Sequence, residues 1–200
     1  MLKLWLIRHG MTEGNRYQRY IGVTDESLAA EGRAALHPLA DAAPEAVFVS
    51  PLTRCRETAE ILFPEMPLRI IDQLAECDFG EFENKNYKEL DGNARYQAWV
   101  DSGGALPFPG GESREGFRKR TLEGFSRAVT VCIREELTEA ALVVHGGSIM
   151  TIMEAYARPE RSFYDWHVGN GGGYLIELDP IQWKNNKFIL KCVKSCSAGK

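Results

Sequence analysis

The sequence predicts an α/β protein, a three-layer α/β/α sandwich around a mostly parallel central sheet. Three observations carry that expectation. Short, nearly continuous apolar runs recur along the chain, as in strands buried on both faces. Segments with helical spacing separate them. Two of the apolar runs end directly in histidine and glycine, at Ile7-Arg8-His9-Gly10 and Val144-His145-Gly146-Gly147.

Taken in order, Leu2 to Ile7 reads as the first buried strand. Leu28 to Ala42 has helical spacing, with Leu28, Ala35, Leu36 and Leu39 on one face. Ala46 to Val49 is a second strand, ending at Ser50-Pro51. Thr53 to Phe63 reads as a helix that Pro64 closes. Leu68 to Ile71 is a third strand candidate. Asn84 to Asp101 has helical spacing through Tyr87, Leu90, Tyr96 and Trp99, and the Gly- and Pro-rich stretch 102–111 is a loop. Ser113 is an N-cap for a long helix reaching about Glu136. Ala141 to Val144 is a fourth buried strand and Ile149 to Tyr156 a further helix. Tyr174 to Leu178 and Phe188 to Val193 read as a terminal hairpin at one end of the sheet. The segment 77–112 is an insertion expected to form a small cap over the sheet edge.

Two hundred residues suit one domain with a sizeable core, so residues 1–200 are expected to fold as a unit. A hydrophobic fraction of 44% and a charged fraction of 26% are ordinary globular values. The net charge of −4 gives no reason to expect nucleic acid or an anionic membrane as partner. It is compatible with a local cationic pocket for a small phosphorylated metabolite. The first apolar run is too short for a signal-peptide core, and no stretch approaches a membrane span. The five cysteines, Cys55, Cys77, Cys132, Cys192 and Cys196, are odd in number and lack paired zinc-like spacing. Cys192 and Cys196, four apart, leave a metal or redox site open, but reduced thiols are the favoured reading. Together these features point to the cytoplasm.

Ligands of parallel α/β sheets bind beyond the carboxyl ends of the strands. His9 and His145 would then face one crevice. Arg54 lies one turn into the helix after the second strand, and the third strand candidate leads to Glu76. Two arginines offer permanently charged forks for phosphate oxygens. A neutral imidazole among them is a competent nucleophile toward phosphorus. A glutamic acid beside them suits proton donation to a departing alcohol and proton removal from water. A pair of histidine metal ligands is the rival reading. It would want a carboxylate or cysteine partner at ligand spacing, and none is evident. His37 and His167 read as surface or structural, and Tyr87, Tyr96 and Trp99 as packing residues.

The ordered blocks resemble those of the histidine phosphatases, the phosphoglycerate mutase-like superfamily. Arg8-His9-Gly10-Met11-Thr12-Glu13-Gly14-Asn15 is similar to its R-H-G-x-[ST]-x-x-N signature, and Ile21-Gly22 lies in its next block. Ser50-Pro51-Leu52-Thr53-Arg54 resembles S-P-L-x-R, with Cys55 where a small residue is usual. Glu76-Cys77-Asp78-Phe79-Gly80 resembles the acid-bearing segment, and His145-Gly146-Gly147 the second histidine motif. The resemblance covers about residues 2 to 178. It implies the phosphoglycerate mutase-like fold, His9 as phosphorylated nucleophile and Glu76 as proton donor. It further implies that Arg8, Asn15, Arg54, His145 and Gly146 bind phosphate and that the backbone of Ile21 and Gly22 lines the site. It implies no metal and no organic cofactor. Pro109-Gly110-Gly111-Glu112-Ser113 resembles the α-ribazole phosphatase branch, and the adjacent arginine pair of true mutases does not occur. The expected activity is therefore phosphomonoester hydrolysis, most like α-ribazole 5′-phosphate phosphatase in cobalamin biosynthesis. A broad-specificity phosphatase, a phosphoglycerate mutase and a non-catalytic phospho-ligand binder are the alternatives.

Overall fold

The computed structural model describes residues 1–197. Strand β1 (Leu2–Arg8) opens the chain, followed by the single helical turn α1 (Glu13–Arg16) and the short α2 (Ala30–Ala34). Next come β2 (Ala46–Val49), α3 (Thr53–Leu62) and β3 (Leu68–Ile70). Two 3-10 turns, Asp72–Leu74 and Gly80–Phe82, lead to α4 (Ala94–Asp101) and the long α5 (Arg114–Arg134). The chain continues through β4 (Glu139–Val144), α6 (Gly146–Tyr156) and the two-residue β5 (Ala157–Arg158). After a 3-10 turn at Phe163–Trp166 come β6 (Gly172–Leu178), α7 (Pro180–Lys184) and β7 (Leu190–Ser197).

The strands form one sheet in the order β3-β2-β4-β1-β6-β7-β5. Among the described residues, β6 alone runs antiparallel to its neighbours. Alternate residues of each central strand enter opposite layers, as a period of two requires. Leu2, Leu4 and Leu6 of β1 pack with Phe125 and Ala128 of α5 and with Ile149 and Ile152 of α6. Trp5 and Ile7 pack on the other face with Leu28, Leu36 and with Cys55 and Ala59 of α3. Both faces are thus dry apart from the exposed Lys3 near the start of β1, which is why these strands read as nearly continuous apolar runs. The three-layer α/β/α arrangement is that expected from sequence.

Several boundaries differ from the sequence reading. The helix expected over Leu28–Ala42 shrinks to α2, because Pro38 disfavours helical backbone in the residue before it. The helix expected over Asn84–Asp101 is only α4. Asn84 and Gly92 take positive φ, and the Asn93 side chain caps the helix by accepting from the N–H groups of Arg95 and Tyr96. Helix α6 begins at Gly146 rather than Ile149. The terminal hairpin contains α7 between its strands, and β5 lies outside it. Ser113 caps α5, its Oγ accepting from Gly116 N at 3.0 Å.

Within 77–112, Phe79, Phe82, Tyr96 and Trp99 pack against Tyr20, and Phe108 against Phe79, Phe82 and Trp99, with ring centroids 4.9–6.4 Å apart. This aromatic cluster lets a segment with little regular structure bury Phe82 and Leu90 almost completely.

Candidate active site

Strand register assembles the site. Arg8 pairs with Val144 across the parallel β1–β4 ladder, so the next residues, His9 and His145, emerge side by side. The His9 N–H donates to Val144 O at 3.0 Å, and the two imidazole centroids are 5.2 Å apart. On the other side of β4, Val49 of β2 pairs with Val143, which places Ser50 beside His145 and Arg54 at the start of α3. Beyond it, Ile70 of β3 pairs with Val49, and the 3-10 turn after β3 carries the chain to Glu76. Four adjacent strands therefore deliver Arg8, His9, His145, Arg54 and Glu76 to one edge.

His9 is 4% exposed, and its Nδ1 lies 2.7 Å from the carbonyl oxygen of Gly10. A carbonyl only accepts, so Nδ1 carries the proton and Nε2 keeps its lone pair. Burial, then the charges of Arg54 and Arg8, hold His9 well below its ordinary pKa of 6.5, against the Gly10 carbonyl. Burial and the same cations also hold His145 well below 6.5. Its Nε2 shares a 2.7 Å hydrogen bond with Ser50 Oγ, and Cys55 Sγ packs 3.5 Å from the same nitrogen. Burial pushes the Cys55 thiol up to about 12, so it stays protonated beside the ring.

Arg54 is fully buried, and loop carbonyls grip its head. Nη1 donates to Thr24 O at 2.8 Å, and Nη2 to Gly22 O at 2.8 Å and Ile21 O at 3.3 Å. Arg8 Nη1 donates to Val168 O at 2.8 Å. The Nε atoms of both arginines are buried without a protein acceptor. Two orphaned cationic donors beside a neutral imidazole suit an anion, whose oxygens would satisfy them. The N-terminus of α6, starting at Gly146, adds backbone donors and a favourable dipole.

Glu76 is 8% exposed. Its oxygens accept from Cys77 N at 3.0 Å and Gly147 N at 3.3 Å. Burial raises its pKa above the ordinary 4.5, opposed by those N–H groups and by Arg54 and Arg8. A Cβ on Gly147 would lie 2.6 Å from Glu76 Oε1, so only glycine admits the carboxyl here. Glu76 opens onto a cleft of about 460 Å³ lined also by Val23, Asp72, Asp78, Glu112 and Arg120.

The remaining sequence candidates sit one step back. Asn15 Oδ1 accepts from Asn170 Nδ2 at 2.8 Å and from Thr12 N at 3.3 Å, so its amide oxygen is engaged in the scaffold. The Ile21 and Gly22 carbonyls hold Arg54, and the Gly22 N–H donates to Glu83 at 3.2 Å. The Ile21 and Gly22 carbonyls and the Gly22 N–H are thus engaged by protein partners. Sequence reasoning missed several supporting groups. Asn170 Nδ2 reaches the carbonyls of His9 and Gly10, both at 3.3 Å. Glu83 accepts from Gly22, Val23, Phe79 and the Thr24 hydroxyl, fixing the loop that grips Arg54. Asn170 sits in an Asn-Gly-Gly-Gly run beside the site, the one local signal available. No group of three or more His, Cys, Asp or Glu residues able to hold a metal occurs among the described residues.

This fold and this crevice define an α/β enzyme of phosphoryl chemistry. The chain belongs to the histidine phosphatase superfamily (branch 1), whose sequence profile matches residues 4–190. It is similar to the adenosylcobalamin/alpha-ribazole phosphatase of Salmonella typhimurium (strain LT2), 30% identical over 187 residues, 88% of this chain and 91% of the relative. Its fold is similar to that of the alpha-ribazole phosphatase from Shigella flexneri, with TM-score 0.80, 22% identity, and 99% and 98% of the two chains covered. A phosphoglycerate mutase from Thermus thermophilus superposes with TM-score 0.69 at 27% identity, covering 98% of this chain and 99% of the other. No helix among the described residues is long and apolar enough to cross a membrane.

Proposed function

We propose that the protein hydrolyses phosphomonoesters through a phosphohistidine at His9, with α-ribazole 5′-phosphate as its substrate. One observation carries the mechanism: the Nδ1–Gly10 hydrogen bond at 2.7 Å leaves Nε2 unprotonated on a ring that feels the charges of Arg54 and Arg8, whose buried Nε donors are unused. Nε2 attacks phosphorus, and the bond to the ester oxygen breaks. Glu76, whose pKa burial raises, gives a proton to that oxygen as the alcohol leaves. The carboxylate then removes a proton from water, which attacks the phosphohistidine and releases inorganic phosphate and neutral His9. Arg8, Arg54, His145 and the N–H of Gly146 hold the phosphoryl oxygens throughout, matching charge that spreads over them in the transition state. Asn15 acts through Asn170 on the backbone of His9 and Gly10. The Ile21–Gly22 backbone fixes Arg54.

The substrate assignment rests on the similarity to the Salmonella enzyme and on the Pro109–Ser113 run. The cleft beside Glu76 carries Asp72, Asp78 and Glu112, and Glu112 already pairs with its one cation, Arg120. The lack of the adjacent arginine pair of true mutases supports hydrolysis over mutase action. In the same reading residues 1–200 act as one catalytic domain in which 77–112 caps the site, supported by the single sheet and the span of the family match. Five unpaired thiols support a cytoplasmic place of action.

The test is a substrate panel with acid- and base-quenched trapping. An acid-labile, base-stable phosphoryl adduct and a clear preference for α-ribazole 5′-phosphate over sugar phosphates are expected. Equal rates across many esters would make the protein a general phosphatase. Isomerisation of 3-phosphoglycerate would make it a mutase.

A further inference from the structure

Glu76 stands on neither strand nor helix. A general acid must lie within hydrogen-bond reach of the leaving oxygen, so something other than regular backbone has to aim it. Arg120, in the second turn of α5, occupies that position. Its Nη1 donates to Ala75 O at 2.6 Å and Gln73 O at 3.1 Å, and its Nη2 to Glu76 O at 2.8 Å. The same guanidinium makes a two-point fork with Glu112, Nε to Oε1 and Nη2 to Oε2, each at 2.8 Å.

Glu112 grips the other side of the same segment. Its Oε2 accepts from Asp78 N at 3.4 Å, and its own N–H donates to Asp78 O at 2.9 Å. The backbone before Glu76, at Glu76 and two residues beyond it is therefore tied to one ion pair. The two side chains are 26% and 19% exposed, so this is a partly dry pair rather than a solvated surface one. Lysine cannot replace the arginine, because three carbonyls and two carboxylate oxygens need the planar fork.

We infer that Arg120 and Glu112 form a positioning pair that aims the Glu76 carboxyl at the leaving-group oxygen. The pair acts through the peptide groups of Glu76 and its neighbours. The inference rests on the reading of Glu76 as proton donor.

The experiment compares kcat/KM for two esters in Arg120→Lys, Glu112→Gln and Glu76→Gln. An alkyl phosphate needs a proton on its departing oxygen. p-Nitrophenyl phosphate releases a stable phenolate and does not. Since kcat/KM reports the step that forms phosphohistidine, hydrolysis of the phosphoenzyme does not enter. Misplacing a catalytic group by about 1 Å costs on the order of 10²-fold. Arg120→Lys is expected to lose about that much on the alkyl ester and only a few-fold on the aryl ester. Glu112→Gln should split the two substrates in the same direction. A loss equal on both esters, or no loss, in these variants while Glu76→Gln still splits them overturns the positioning role. No split in Glu76→Gln itself overturns the proton-donor reading instead. Should Arg120→Lys fail to fold, as circular dichroism would report, Glu112→Gln alone decides the question.

Discussion

At the scale of single residues, the proposed chemistry depends on two groups held in protonation states that water would not favour equally. Neutral His9 is needed for attack, and burial with Arg54 and Arg8 lowers its pKa well below 6.5. Protonated Glu76 is needed for departure, and burial raises its pKa above 4.5. The active form therefore survives to lower pH than a free imidazole would allow and to higher pH than a free carboxyl would. For an alkyl ester, kcat/KM is expected to fall as pH rises through the raised Glu76 value. Glu76→Gln should remove that limb, and persistence of the limb in the variant would assign it to another group. His9→Ala should abolish both turnover and the trapped adduct, since no other side chain supplies the covalent bond. Arg54→Ala should cost about 2–4 kcal/mol in kcat/KM, the usual loss when a fixed transition-state donor is removed. Steady-state kinetics measures it, and a loss under about tenfold would take Arg54 out of the phosphate pocket.

At the scale of elements, the strands that carry the site were legible in the sequence and their supports were not. The first, second and fourth strands stand out as apolar runs because both their faces are dry, and His9, His145 and Arg54 follow from where those runs stop. Helix lengths were less legible. Leu28–Ala42 and Asn84–Asp101 both keep helical spacing, but Pro38, Gly92 and the Asn93 cap cut them short, and these local signals outweigh periodicity. The roles of Asn170 and Arg120 could not be read, because they depend on backbone carbonyls of Gly10 and Ala75, 160 and 45 residues away. Side-chain-to-backbone bonds over such distances leave no spacing rule in a single sequence. Gly147 shows the reverse case, a motif glycine whose reason is visible only in three dimensions. Gly147→Ala would drive a methyl against Glu76 Oε1, at 2.6 Å, and Phe117 Cζ, at 3.3 Å. It is expected to lower kcat/KM on an alkyl ester up to about tenfold, the worth of one neutral hydrogen bond. Retention of full activity would mean that the carboxyl is not held against the α6 N-terminus.

At the scale of the whole molecule, the candidate site is expected to cost stability that a bound anion restores. Arg8 and Arg54 bring buried charge with unpaired Nε donors to one edge of the sheet, and His9 and His145 stay neutral beside them. In the unfolded chain both histidines regain ordinary values near 6.5. Below that pH the unfolded state therefore binds more protons than the folded one, and stability falls as pH falls. Glu76 acts in the opposite sense, because its raised folded value makes the folded state hold a proton that the unfolded chain releases above 4.5. Two histidines outweigh one glutamic acid. Unfolding at about pH 5.5, where an unfolded histidine is mostly protonated, should therefore take up protons, and stability should fall as pH is lowered toward it. Urea denaturation of ligand-free protein between about pH 7.5 and about pH 5.5, the range in which an ordinary histidine titrates, measures it. On the proposed reading inorganic phosphate binds the folded state and not the unfolded one, so at about 100 times its Kd it should add about 2.7 kcal/mol. Arg54→Ala should lose most of that gain while keeping the pH slope that desolvation of the histidines produces. A phosphate gain undiminished in Arg54→Ala would mean that the anion binds elsewhere on the molecule, and the crevice at the ends of β1 and β4 would lose its claim to the phosphoryl group.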